Sequence, residues 1–231
     1  MEKLTIQKAT ILIIEDNADT RKFLEAILSK EFQVLTAENA ILGIEFARNK
    51  GPDLILLDIM LPNLSGFDAC NLLKKDEKTN RIPIIFLSAK NSVANITQGL
   101  SAGADDYMAK PFDAKELLAR IKVRLRKTTD DQSQHSLVIG DLKIDQANRE
   151  ITFEGKKTQL TLTEFDILRY LATQAGTPVS RDLILKEVWR APSEELNDRT
   201  IDVHIRALRK KIPPLSTHIV SIYGVGYKYV L

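Results

Sequence analysis

Five short segments, most of them rich in β-branched and aliphatic residues, recur through the first half of the chain: TILIIED over 10–16, the run 32–37, DLILLD over 53–58, IPIIFLS over 82–88 and the run 105–109. Helix-compatible stretches separate them. A strand with one wet face alternates apolar and polar residues, whereas the first, third and fourth of these carry unbroken apolar runs and are expected to be buried on both faces. That condition is met by a parallel sheet with helices packed on each side, so the pattern predicts an α/β doubly wound, five-stranded domain. Its closing helix is expected from Asp113, an N-cap with Glu116 three residues on, through Leu117, Leu118, Ile121 and Leu125 to about Arg126.

At 231 residues the chain is long for one such domain and suits two of about 100 residues each. Residues 127–136 (KTTDDQSQHS) contain nothing aliphatic or aromatic, bury little and read as a linker. The domains are therefore placed at 1–126 and 137–231. In the second, Leu137 to Leu160 alternates apolar and polar residues in short pieces, the signature of a small antiparallel sheet. Three helices follow. Thr161 with Glu164 forms a capping box for the first, Ser180 caps a second running to Trp189, and the third spans Arg199 to Ile212 before Pro213 and Pro214. Gly224 and Gly226 then sit between two last strands, making this a smaller α+β domain.

Composition narrows the setting. No apolar run approaches the ~18 residues that a membrane span needs, and Met1 to Lys8 lacks the apolar core of a secretory signal, so a cytoplasmic location is expected. The single Cys70 lies among Ala69, Leu72 and Leu73 and reads as a small core residue. Net charge is +2, and it is spread evenly: Lys and Arg number 18 against 17 Asp and Glu up to Arg126, then 15 against 14. Any nucleic-acid signal must be local to one element.

In an open parallel sheet, ligands bind beyond the carboxyl ends of the strands. The first strand ends in Glu15 and Asp16, the third in Asp58 and the fourth in Ser88, while Lys110 follows the fifth. Acidic residues at loop starts often serve only as helix caps, and Asp19 and Asp53 are read that way. Three converging carboxylates, however, resist ionisation unless a cation joins them. A hard divalent ion, Mg2+, suits oxygen ligands and accepts phosphate oxygens. With a hydroxyl and an ammonium alongside, the set is what phosphoryl transfer to a carboxylate requires.

These residues resemble a known family. Glu15-Asp16, Asp58-Ile59-Met60-Leu61-Pro62, Gly66, Ser88-Ala89, and Gly103-Ala104-Asp105-Asp106-Tyr107 leading to Lys110-Pro111-Phe112 are similar to the receiver domain of bacterial response regulators, a flavodoxin-like fold. The resemblance implies Mg2+ held by Glu15 or its bridging water, Asp16, Asp58 and the Met60 carbonyl. It implies that Asp58 takes a phosphoryl group from a histidine kinase, that Ser88 and Lys110 bind its oxygens, that the Lys110-Pro111 peptide is cis, and that Tyr107 swings inward with Ser88.

The third helix of the second domain carries five cations and one anion from Arg199 to Lys211. A charge run is more often a solvated face. Here it follows two helices and precedes a glycine-containing hairpin, the order of a winged helix-turn-helix. Thr161-Leu162-Thr163-Glu164-Phe165, Val188-Trp189, Arg199-Thr200-Ile201-Asp202-Val203-His204-Ile205-Arg206 and Gly224-Val225-Gly226-Tyr227 resemble the effector domain of OmpR/PhoB-type regulators. That resemblance implies promoter DNA as partner, with Arg206, Arg209 and Lys210 at bases or flanking phosphates. Arg199, Thr200, His204, Trp189 and Tyr227 would contact the backbone, with a helix-packing role open for His204 and a largely core one for Trp189, and Tyr223 stands where many relatives carry a wing arginine. A homodimer formed on phosphorylation would use Asp106, Arg120 and Glu116 and engage direct-repeat half-sites, although Ile96 and Ser101 replace the charged partners expected for Glu116 and Lys122. RNA polymerase contact would fall on 190–197. Two other classes fit the sequence less well. A phosphatase of the haloacid dehalogenase type needs a second Asp where Met60 stands, and an adaptor would bind protein through the winged helix without DNA.

Overall fold

The computed structural model describes residues 8–89, 98–100, 102–125, 136–189 and 198–231, with the side chains of 198 and 199 excepted. The chain divides into two compact units, Met1–Lys90 with Asp106–Leu125, and Asn91–Asp105 with Arg126–Leu231.

The first unit is built on five parallel strands, β1 (Thr10–Ile14), β2 (Gln33–Ala37), β3 (Leu54–Asp58), β4 (Ile84–Ser88) and β5 (Asp106–Ala109), in the spatial order β2-β1-β3-β4-β5. Every residue of β3 and β4 is buried, as the unbroken apolar pattern demands. Alternate residues serve opposite faces. Ile11, Ile13, Leu54, Leu56, Ile85 and Leu87 join Leu24 and Leu28 of the helix Ala18–Leu28 and Leu117 and Ile121 of the helix Ala114–Leu125 in one core. On the other face, Gly43 of the helix Ala40–Lys50 lies so close to Ile14 that a Cβ would fall 2.3 Å from its methyl. Phe67 of the helix Gly66–Lys75 meets Phe86 edge to face at 5.5 Å. Cys70 is buried in that helix.

Helix starts follow side-chain chemistry. Asn17, Asn39 and Ser65 each accept a backbone N–H three residues on, and Asp113 accepts from Lys115 and Glu116. Winding reverses between β1 and β3, so the crevice beyond their carboxyl ends is the place for a ligand.

The second unit holds an antiparallel sheet, β6 (Ser136–Ile139), β7 (Leu142–Asp145), β8 (Glu150–Phe153) and β9 (Lys156–Thr158). Then come helices Leu162–Thr173, Arg181–Trp189 and Asp198–Lys211. Thr161 and Glu164 form the reciprocal capping box, and Ser180 Oγ accepts from Leu183 N–H. Two elements have no counterpart in the sequence reading. A short helix, Leu215–His218, follows the prolines, and β10 (Val179–Ser180) pairs with the last hairpin, giving a sheet ordered β10-β12-β11 with β11 (Ile219–Ile222) and β12 (Gly226–Tyr229). Two-residue strands carry too little pattern to be read in advance.

Candidate functional site: an acidic crevice and a basic helix

The carboxyl ends of β1, β3 and β5 bring the predicted acids and the lysine together. Glu15, Asp16 and Asp58 offer carboxylate oxygens that all lie within 4.8 Å of one another. Lys110 Nζ donates to Glu15 Oε2 and to Asp58 Oδ2, each at 2.6 Å. Glu15 and Asp58 are buried while Asp16 is exposed, so the cluster has a solvent side. Burial pushes the Glu15 carboxyl above its ordinary range and the Asp58 charge adds to this, with Lys110 opposing. Burial alone would lower the Lys110 ammonium, but its bonds to Asp58 and Glu15 outweigh that and raise it. Three carboxylates against one ammonium leave two negative charges unmatched. The all-oxygen donor set and that charge fit a hard dication such as Mg2+.

The surrounding backbone holds Asp58 in place. Met60 N–H donates to Asp58 Oδ1 at 2.8 Å, which lays the Met60 backbone against the carboxylate while its side chain is half exposed. Gly66 N–H donates to Ile59 O at 3.0 Å, and a Cβ on Gly66 would fall 2.1 Å from Asp58 O. Ser88 is buried at the end of β4, and its carbonyl accepts from Lys110 N–H at 2.7 Å. Tyr107 is fully buried on β5, and the Lys110-Pro111 peptide is cis. Asp53 Oδ2 accepts from Thr10 N–H at 2.8 Å and so ties a loop to β1, while Asp19 lies in the first turn of its helix.

Arg21 also holds the site, although nothing in the sequence singles it out. Arg21 Nη1 donates to the backbone carbonyls of Glu15 at 2.7 Å and Asp16 at 3.0 Å, fixing the two-acid turn from one helical turn away. Its only signal was an arginine five residues after Asp16, a spacing common on any helix.

The residues expected at a dimer face are paired within the chain. Arg120, buried, donates to Asp106 Oδ1 at 2.9 Å, to Tyr107 O at 3.2 Å and to Glu116 Oε1 at 2.5 Å. Ile96 and Ser101 lie outside the described residues.

On the basic helix Asp198–Lys211, sequence spacing placed more cations outward than the structure does. Arg206 and Lys210 are exposed and have no side-chain partner among the described residues. Arg209 is half-buried, with Nη2 donating to Ile219 O at 2.6 Å and Ser221 Oγ at 3.3 Å on β11. Lys211 Nζ pairs with Glu164 at 2.6 Å. Thr200 and His204 are buried because they share the inward stripe with Leu208, four residues apart each time, and the Trp189 ring lies 5.6 Å from that of His204. These three face the core rather than solvent. Tyr227 is buried too, its hydroxyl donating to Asp202 Oδ1 at 2.7 Å. Tyr223, by contrast, is fully exposed between β11 and β12 with Val225 nearby. The side chain of Arg199 and residues 190–197 lie outside the described set.

The order β2-β1-β3-β4-β5 with acids at the switch point, joined to a helical domain ending in a hairpin, defines a receiver coupled to a winged-helix effector. Residues 11–122 match the family "Response regulator receiver domain" and residues 155–229 match "Transcriptional regulatory protein, C terminal". The phosphate regulon transcriptional regulatory protein PhoB of Pseudomonas aeruginosa is 38% identical over 222 residues, covering 95% of this chain and 96% of the relative. The DNA-binding response regulator MtrA of Mycobacterium tuberculosis is 37% identical over 224 residues, covering 94% and 95%. Among solved structures, a RitR mutant aligns with a TM-score of 0.74 at 26% identity over 96% of this chain and 98% of that one. DrrB, an OmpR/PhoB homologue of Thermotoga maritima, aligns at 0.50 and 29% over 97% and 100%.

The chain belongs to the OmpR/PhoB-type two-component response regulators, whose members control transcription through a DNA-binding domain. Its relatives are regulators rather than catalytic enzymes. No helix among the described residues is long and apolar enough to cross a membrane.

Proposed function

We propose that Asp58 is the phosphoryl acceptor of this regulator and that its phosphorylation by a histidine kinase switches the protein to a DNA-binding dimer. The observation that carries this reading is Lys110 Nζ seated between Glu15 and Asp58, 2.6 Å from each, beside the acidic Asp16. An oxygen of Asp58 attacks phosphorus, and an O–P bond forms as the donor's N–P bond breaks. Glu15, Asp16, Asp58 and the Met60 carbonyl would hold Mg2+, which when bound neutralises charge on the transferring group. Lys110, already anchored by two hydrogen bonds, and Ser88 receive the phosphoryl oxygens, which places the new charge against β4 and β5. Tyr107 on β5 then follows Ser88. The protein's chemistry is limited to its own phosphoryl uptake and loss.

On this account 1–126 is the receiver, 127–136 the linker and 137–231 the effector. Arg206 and Lys210 approach DNA from the helix, to which Arg199 also belongs, and Tyr223 from the wing, on direct-repeat half-sites of a promoter. RNA polymerase would meet the segment 190–197. The dimer would draw on Asp106, Arg120 and Glu116, exchanging part of their internal pairing. Labelled acetyl phosphate with Mg2+ tests the acceptor: the wild type takes up label and Asp58→Asn does not. Equal labelling of the variant would overturn the assignment.

A further inference from the structure

We infer that Asp202 and Arg209 are positioning residues that clamp the wing to the recognition helix, and that Arg206 and Lys210, rather than Arg209, make base and phosphate contact. The inference rests on the reading of Asp198–Lys211 as the DNA-facing helix. Asp202 and Arg209 are seven residues apart, two turns and about 10 Å along one helix face. Each is engaged by the hairpin. Tyr227, on β12, donates its hydroxyl to Asp202 Oδ1 at 2.7 Å. Arg209 donates to Ile219 O at 2.6 Å and Ser221 Oγ at 3.3 Å, both on β11. A single tie would let the hairpin pivot, whereas two ties at separate heights fix its angle.

A third element braces the same joint. Arg181, the first residue of the preceding helix, donates to Asp202 Oδ1 at 2.8 Å and lies over the Tyr227 ring at 4.9 Å; Arg209 sits 5.8 Å from the same ring. The hairpin cannot retreat from the joint either. β12 is stitched to β10 through Val179 and Ser180, and a Cβ on Gly226 would fall 2.2 Å from Val179 O. To read a base, Arg209 would have to give up two hydrogen bonds and leave the side of Tyr227. Arg206 and Lys210 give up nothing. The clamp therefore determines where the exposed tip, Tyr223 and Val225, stands relative to the outward Arg206 and Lys210.

The test uses the full chain and a random-sequence DNA duplex, titrated over a range of salt. A lost phosphate contact reduces the slope of log affinity against log salt by about 1. Arg206→Met is expected to show that reduction. Arg209→Met is expected to weaken binding with the slope kept, and to speed amide hydrogen exchange in 219–229 while 162–173 stays protected. Tyr227→Phe, which removes one hydroxyl and keeps the ring, should do the same to a smaller degree, and it reads the clamp if Arg209→Met fails to fold. A slope loss of about 1 in Arg209→Met with unchanged wing exchange would overturn the inference. If Arg206→Met alters neither affinity nor slope, the DNA-facing reading of the helix is what fails, and wing exchange still judges the clamp.

Discussion

Asp58 owes its setting to residues that do no chemistry. Gly66 is there because nothing larger fits: a Cβ would lie 2.1 Å from Asp58 O and 2.7 Å from Ile59 Cα, both backbone atoms that cannot swing aside. Gly66→Ala is predicted to cost about 1–3 kcal/mol, the range for forced overpacking, in urea unfolding of the sheet unit, and to slow phosphoryl uptake by displacing Asp58. Unchanged stability and uptake would show the loop to be more compliant than its contacts imply. At this scale the sequence was most informative where chemistry is scarce. Glu15, Asp16, Asp58 and Lys110 are legible because charged groups at buried strand ends have few structural reasons to exist. Arg21 was not, because an arginine on an exposed-looking helix has many. Thr200, His204 and Trp189 could be read as DNA-facing or as packing residues, because polar or aromatic identity says nothing about which way a helix turns in its socket, and the fold buries all three.

At the scale of elements, periodicity served well for strands buried on both faces and for capped helices, and poorly where a pairing partner is distant. β10 is two residues long and exists because β12 pairs with it. The same strand supplies a pH signature. Burial raises Tyr227 to about 12, helped by its bond to Asp202, and burial with the charge of Asp141 raises Tyr229 to about 12. Both hydroxyls are held protonated in the fold above their ordinary 10.0. Their contribution to stability is therefore complete below that value and lost as pH climbs through about 12. Denaturation followed across that window should show effector stability falling, and Tyr227→Phe together with Tyr229→Phe should flatten the fall. A fall of equal steepness in the double variant would assign it to other groups.

At the scale of the whole molecule, the proposed switch joins an acceptor in one unit to DNA contact in the other through a change of state rather than a change of chemistry. A phosphoryl group can shift that state only by interacting differently with its two forms. The coupling expected for such a switch corresponds to about 5–150-fold in affinity. Its most direct test is DNA affinity measured with and without acetyl phosphate and Mg2+, on duplexes selected from a random pool by the treated protein. The wild type is predicted to bind those duplexes more tightly after treatment by a factor within that span, and Asp58→Asn to bind with the same affinity in both conditions. A wild type indifferent to the phosphodonor, or an Asp58→Asn variant that still responds to it, would contradict the account.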